Sequence, residues 1–149
     1  MAKNKFKPLM RHEWPQNWPT LLIEYIQKAG RDPFQYGTND CALFASNWVR
    51  KITGSDPAYK FRDQYTNEMG SYMALKKYGT GRLDTTFDEY FERGIVRNAR
   101  RGDICSHVPD GDRDLMVMGI IADGNGVFLS EQGLTTLSVI HIKEVWKVG

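Results

Sequence analysis

Residues 38–57 read TNDCALFASNWVRKITGSDP. Within them Cys41, Phe44, Ala45, Trp48, Val49 and Ile52 fall at i, i+3, i+4, i+7, i+8 and i+11, the spacing that lines apolar side chains along one stripe of an α-helix. Asn39 or Asp40 can cap that helix by accepting one of the free N–H groups of its first turn. Gly54 ends it, and Asp56-Pro57 keeps it from resuming. The stretch predicts a helix buried along one side, with Cys41 in its first turn.

Working outward, Trp18-Pro19 opens an earlier helix, since proline is tolerated in a first turn. Leu22, Tyr25, Ile26 and Ala29 share a face there, and Gly30 closes it. Residues 1–17, with Pro8 and Pro15, read as an irregular polar arm. Trp14 and Trp18, in or beside it, are candidate contact anchors because aromatic side chains dominate interface energetics. Downstream, residues 67–78 predict a helix with Met69, Tyr72, Met73 and Lys76 on related faces. A further helix is expected from Thr86, where Glu89 completes a capping box and Phe87, Tyr90 and Phe91 follow. From Gly102 the period changes to two. Strands are expected over 103–108, 115–122, 127–130, 134–140 and 143–148, punctuated by Asp110-Gly111, Gly124-Asn125-Gly126 and Gln132-Gly133. Short connections make neighbouring strands antiparallel. The expected fold class is α+β: N-terminal helices packed on a C-terminal antiparallel, partly barrel-like sheet, as one domain over 18–149.

Composition narrows the function classes. A net charge of +2, from 20 Lys and Arg against 18 Asp and Glu, gives no strong field for nucleic acid or an anionic membrane. Two cysteines, Cys41 and Cys105, form no pairing pattern and read as reduced thiols. The basic N-terminus lacks an apolar run and Leu21-Leu22-Ile23 is cut short by Glu24, so neither a signal peptide nor a membrane span is expected. No phosphate-binding glycine loop is present and no cofactor is expected. Cys105-x-His107 could be half of a metal site, but no second pair at ligand spacing accompanies it, so no metal is expected either. Arg93, Arg97, Arg100 and Arg101 read as a solvated basic run.

Chemistry concentrates at Cys41. The free N–H groups and positive dipole end of a helix start favour a thiolate, the species that cysteine hydrolases use with an imidazole as base. The alternative is structural: Cys41 lies on the apolar stripe, and free cysteine is among the most buried residue types.

The segment Phe34-Gln-Tyr-Gly-Thr-Asn-Asp-Cys41-Ala-Leu-Phe44 resembles the Asp-Cys helix start of the NlpC family of papain-like cell-wall cysteine peptidases. Arg101-Gly102-Asp103-Ile104 is similar to that family's first strand, Val117-Met-Gly-Ile120 to its His-Val-Gly-Ile strand, and Val127-Phe-Leu-Ser130 to the next. The resemblance is closest to a branch encoded among phage and prophage tail genes. That branch shows Trp18-Pro19, Thr53-Gly54-x-Asp56-Pro57, Arg62-x-x-Tyr65 and Trp146-x-Val148 in the same order, over about residues 14–149.

The resemblance implies a papain-like fold of the NlpC type, with Cys41 as candidate nucleophile, Asp40 as helix cap and Ser130 at the third polar position. The peptidases' catalytic histidine falls on Val117, and no histidine lies in 115–122. General acid–base help is worth about 10²–10⁴-fold, so its loss is severe for amide hydrolysis. Of the other histidines, His12, His141 and His107, the last is the best substitute base, placed by strand alternation on the same face as Cys105. Two functions follow. One is a structural component of a phage tail tip or baseplate, made in the host cytoplasm and carried in the virion, with tail hub proteins as partners. The other is an active peptidoglycan-cleaving endopeptidase or amidase. A thiol transferase on the same frame is a third reading.

Overall fold

The stripe through Cys41 forms a helix with the expected bounds in the computed structural model, which describes residues 6–149. Four α-helices occur among those residues: α1 (Trp18–Arg31), α2 (Cys41–Thr53), α3 (Glu68–Tyr78) and α4 (Leu83–Asp88). Gly54 caps the end of α2 in the left-handed region, at φ 77°. Six strands follow: β1 (Arg93–Gly94), β2 (Ile104–His107), β3 (Val117–Ala122), β4 (Asn125–Ser130), β5 (Gly133–Ser138) and β6 (Glu144–Trp146). All pair antiparallel in the order β1-β6-β2-β3-β4-β5, a meander from β2 to β5 with β6 returning beside β2. The α+β architecture is therefore as expected. The sheet does not close into a barrel: β1, two residues long, pairs only with β6, and β5, at the far edge, pairs only with β4.

One sheet face carries Ile104, Met118, Ile120, Leu129 and Trp146 against Phe44, Ala45, Trp48 and Val49 of α2, all buried. Removing side chains of this size from water stabilises the fold by roughly 1.5–3 kcal/mol each, before the entropy of ordering them is counted. The opposite face holds a smaller cluster of Cys105, Ile121, Phe128, Ile142 and Val145.

Several expectations need correcting. The arm before α1 is not peripheral: Trp14 is buried against Trp18 and Trp48, so Trp14 is a core residue rather than an exposed anchor. Residues 1–5 lie outside the described part. In α3 the inward stripe is Ser71, Ala74, Leu75 and Tyr78, while Met69 and Met73 are exposed. Both sets have helical spacing, so periodicity alone did not choose between them. α4 begins at Leu83 and not at Thr86, whose hydroxyl donates back to the Arg82 carbonyl from inside the helix. The β3–β4 turn is Asp123-Gly124, both at positive φ (50° and 80°), which shifts Asn125 and Gly126 into the strand.

Asp103 ties the ends of the domain together. Its carboxylate is almost fully buried and accepts from Arg11 Nη2 at 2.8 Å, Arg100 Nη2 at 3.1 Å and the Val148 N–H at 3.0 Å. Arg11 also donates to the Val148 and Arg101 carbonyls, and its guanidinium lies 4.6 Å from the Trp14 ring centre. Gly102, at φ 92°, lets the chain pass beneath Trp14 and Trp48, and Trp48 Nε1 donates to its carbonyl. The basic run is exposed as expected but partly engaged, since Arg93 and Arg100 are ion-paired to the buried or half-buried carboxylates of Glu144 and Asp103. We expect Asp103→Ala to lower unfolding stability by about 3 kcal/mol, because it leaves Arg11 and the Val148 N–H without their acceptor. Urea denaturation checks this; a change below about 1 kcal/mol would show that the joint is incidental.

Candidate functional site

The loop before α2 is shaped by one carboxylate. Asp40 is buried, with Oδ1 accepting from the Leu43 N–H at 2.9 Å as the helix cap. Its Oδ2 accepts from the Gly37 N–H at 3.0 Å and from the Tyr65 hydroxyl at 2.5 Å. Gly37 sits at φ 87°, and a Cβ there would lie 2.2 Å from the Tyr65 carbonyl oxygen, so no side chain fits. The segment that brings Tyr65 is held by Arg62, which forks onto Asp56 at 2.7 and 2.9 Å and reaches Asn47 of α2 at 2.6 Å. Arg62-x-x-Tyr65 and the Asp56 turn are thus braces for the start of α2.

Cys41 emerges from this frame half-buried, on the wall of a cleft of about 560 Å³. Val117 at the start of β3 and Ser130 at the end of β4 line the same cleft. The three positions singled out in the sequence are therefore brought together. The Ser130 hydroxyl is engaged in its own hairpin, donating to the Gly133 carbonyl at 3.2 Å and accepting from the Gln132 N–H.

Among the described residues no imidazole lines the cleft. His107 does share a sheet face with Cys105, but that face points away from α2. Its ring packs 6.2 Å from Phe128 and its Nδ1 is 3.0 Å from the His141 carbonyl. His107 is thus excluded as a base for Cys41 by the side of the sheet it occupies. His12 and His141 lie in short 3₁₀ turns outside the cleft. Among the described residues no group of three or more His, Cys, Asp or Glu could hold a metal ion, so Cys105-x-His107 gains no partners.

Electrostatics run against a thiolate. Burial pushes the Cys41 thiol up to about 12, and the adjacent Asp40 carboxylate pushes the same way. Backbone N–H groups of Met118, Ala42 and Cys41 itself offset only part of this. The helix start supplies its dipole, but the residue that caps the helix supplies a negative charge beside the sulfur. The thiol therefore stays protonated at neutral pH.

A family model described as a domain of unknown function (DUF6950) matches residues 13–148. The chain belongs to this family. A comparison with curated proteins gave no match. The matched span takes in all of the cleft and reaches the Val148 N–H that Asp103 holds.

The far end of the cleft was not foreseen from sequence. Asp84 at the start of α4 is buried and accepts from Arg82 Nη2 at 2.7 Å and Arg113 Nη1 at 2.8 Å, while both arginines line the cleft. Phe34, Tyr36, Phe61, Tyr72 and Phe87 supply much of the wall between the two ends. Across the rim, Tyr36 donates to Glu131 at 3.4 Å, and Tyr72 of α3 donates to the Asp114 carbonyl at 3.2 Å. A sequence signal for the arginine end was weak: Arg82 and Arg113 are separated by a whole helix and two strands, and only Arg82-x-Asp84 is local.

Two measurements probe this geometry. In a Cys105→Ser background, the rate of Cys41 alkylation by iodoacetamide is expected to climb steadily with pH and show no plateau below about pH 10. A plateau below about 8.5 would mean an activated thiolate. Tyr65→Phe, which removes one donor to Asp40, is expected to cost about 1–2 kcal/mol in thermal unfolding and to loosen the start of α2. Unchanged hydrogen exchange at Leu43 would contradict the second part.

Proposed function

We propose that this chain is a non-hydrolytic relative of the NlpC-type, papain-like peptidases that serves as a structural or assembly component of a phage tail tip or baseplate. The observation that carries the reading is the cleft itself: it joins Cys41, Val117 and Ser130 but holds no imidazole, and its thiol is kept protonated. Hydrolysis of an amide needs a proton taken from the nucleophile and one given to the leaving amine. Val117 can do neither, and Ser130 is committed to its turn. What survives is a preformed, aromatic-walled groove, which is a binding feature. The convergence of the three positions supports the papain-like assignment, and the sequence resemblance over about residues 14–149 supports the phage-tail setting.

On this reading, neither the wild-type chain nor Cys41→Ala releases soluble muropeptides from purified peptidoglycan, while mass spectrometry finds the chain in purified virions in fixed ratio to the tail hub. Release by wild type and not by Cys41→Ala would replace this reading with the peptidase. Absence from virions would remove the assembly role.

A further inference from the structure

Deepening this reading of the cleft as a docking groove, we infer that its arginine end captures the free C-terminal carboxylate of an extended peptide with an apolar last residue. The arginines are arranged in depth. Asp84 and Glu144 lie beneath, with side chains 3% and 11% exposed, whereas Arg82 and Arg113 lie above them at 55% and 43%. Both guanidiniums bond Asp84 Oδ2, at 2.7 and 2.8 Å, so they are held side by side on one buried anion. Arg93, the third cation nearby, is taken up by Asp88 and Glu144 and does not line the cleft. Summed over six groups the cluster is neutral, but Asp84 and Glu144 are buried while Arg82 and Arg113 are exposed toward the groove.

The donors that remain point to a planar anion. Arg113 engages only Nη1 and Arg82 only Nε and Nη2, leaving Nε and Nη2 of the one and Nη1 of the other without a partner among the described residues. A carboxylate has acceptors for such donors in fork geometry. The wall elsewhere also carries Asp40, Glu68, Asp114 and Glu131, so recognition rests on the free donors of the two arginines and not on the net charge of the groove. Leu75, Leu83, Phe87 and Leu115 line the cleft beside the arginines and form the apolar seat for a terminal side chain. An inorganic anion would leave that seat empty. The remaining length toward Cys41, in a cleft of about 560 Å³, suits a few residues of extended chain.

The test uses the full chain, immobilised, and a mixture of tetrapeptides randomised at the first three positions and ending in Leu, Phe or Val. Each is supplied as free acid and as an isotope-labelled C-terminal amide. Mass spectrometry of the retained fraction is expected to show acids enriched over amides by about tenfold or more, the scale of two charge-assisted hydrogen bonds. Arg113→Gln and, separately, Arg82→Gln are expected to abolish the enrichment, and Arg97→Gln, an exposed arginine outside the cleft, to retain it, with unchanged circular dichroism in each. The wild-type acid-to-amide comparison stands even if one arginine variant fails to fold. Equal retention of acids and amides, no retention of either, or enrichment that survives both the Arg82 and the Arg113 change would each overturn the inference. Muropeptide release measured on the same preparations reports separately on the non-hydrolytic reading, so the two can fail independently.

Discussion

A single buried carboxylate, that of Asp40, sets the geometry on which the cleft depends. It receives a helix N–H, a loop N–H and a phenol hydroxyl, and so fixes the loop and helix start on either side of it to the segment of Tyr65, 25 residues on. Without it the 34–37 loop, the 62–65 segment and the first turn of α2 would have no common reference. The same charge decides the character of Cys41. A helix start ordinarily favours a thiolate, but here the cap that stabilises the helix also repels negative charge on the neighbouring sulfur. Structural order and nucleophilic reactivity are thus opposed at adjacent residues, and order prevails.

Asp84 and Asp103 repeat this device elsewhere. Each is a nearly inaccessible aspartate with arginines drawn onto it, and each joins pieces of chain that no hairpin or helix connects. Burying ions carries a desolvation cost that pairing only partly offsets, so such joints define position more than they add stability. The apolar contacts between α2 and one sheet face supply the driving force. The three aspartates determine where the loops around that core come to rest, and the cleft is made from those loops.

How much of this was legible in the sequence differs from element to element. α2 was readable because its stripe, cap and stop all agree, with the cap left between Asn39 and Asp40 and settled on Asp40 by the structure. The meander was readable because glycine-rich turns separate runs of period two. α3 was found but turned the wrong way, since Met69 and Met73 mimic a core stripe while smaller residues face inward. The arm was misjudged because its anchors are long-range: Arg11 and Trp14 find Asp103 and Trp48 only after folding. β1, with two residues, has no period to detect. At the site, Cys41, Asp40, Val117 and Ser130 could be named because local motifs carry them. The place of His107 required knowing which sheet face meets α2, and alternation gives only which residues share a face. Arg82 and Arg113 were silent for a related reason, as what unites them is a common buried partner.

The bond from Arg11 to the Val148 carbonyl has a mechanical meaning. It brings residue 11 and residue 148 together over the buried Asp103, so a pull applied between them loads that ion cluster first. The tension has a short path that does not run through α2, Asp40 or the cleft wall. A domain strained between these two residues therefore keeps its groove in shape until that clasp gives way.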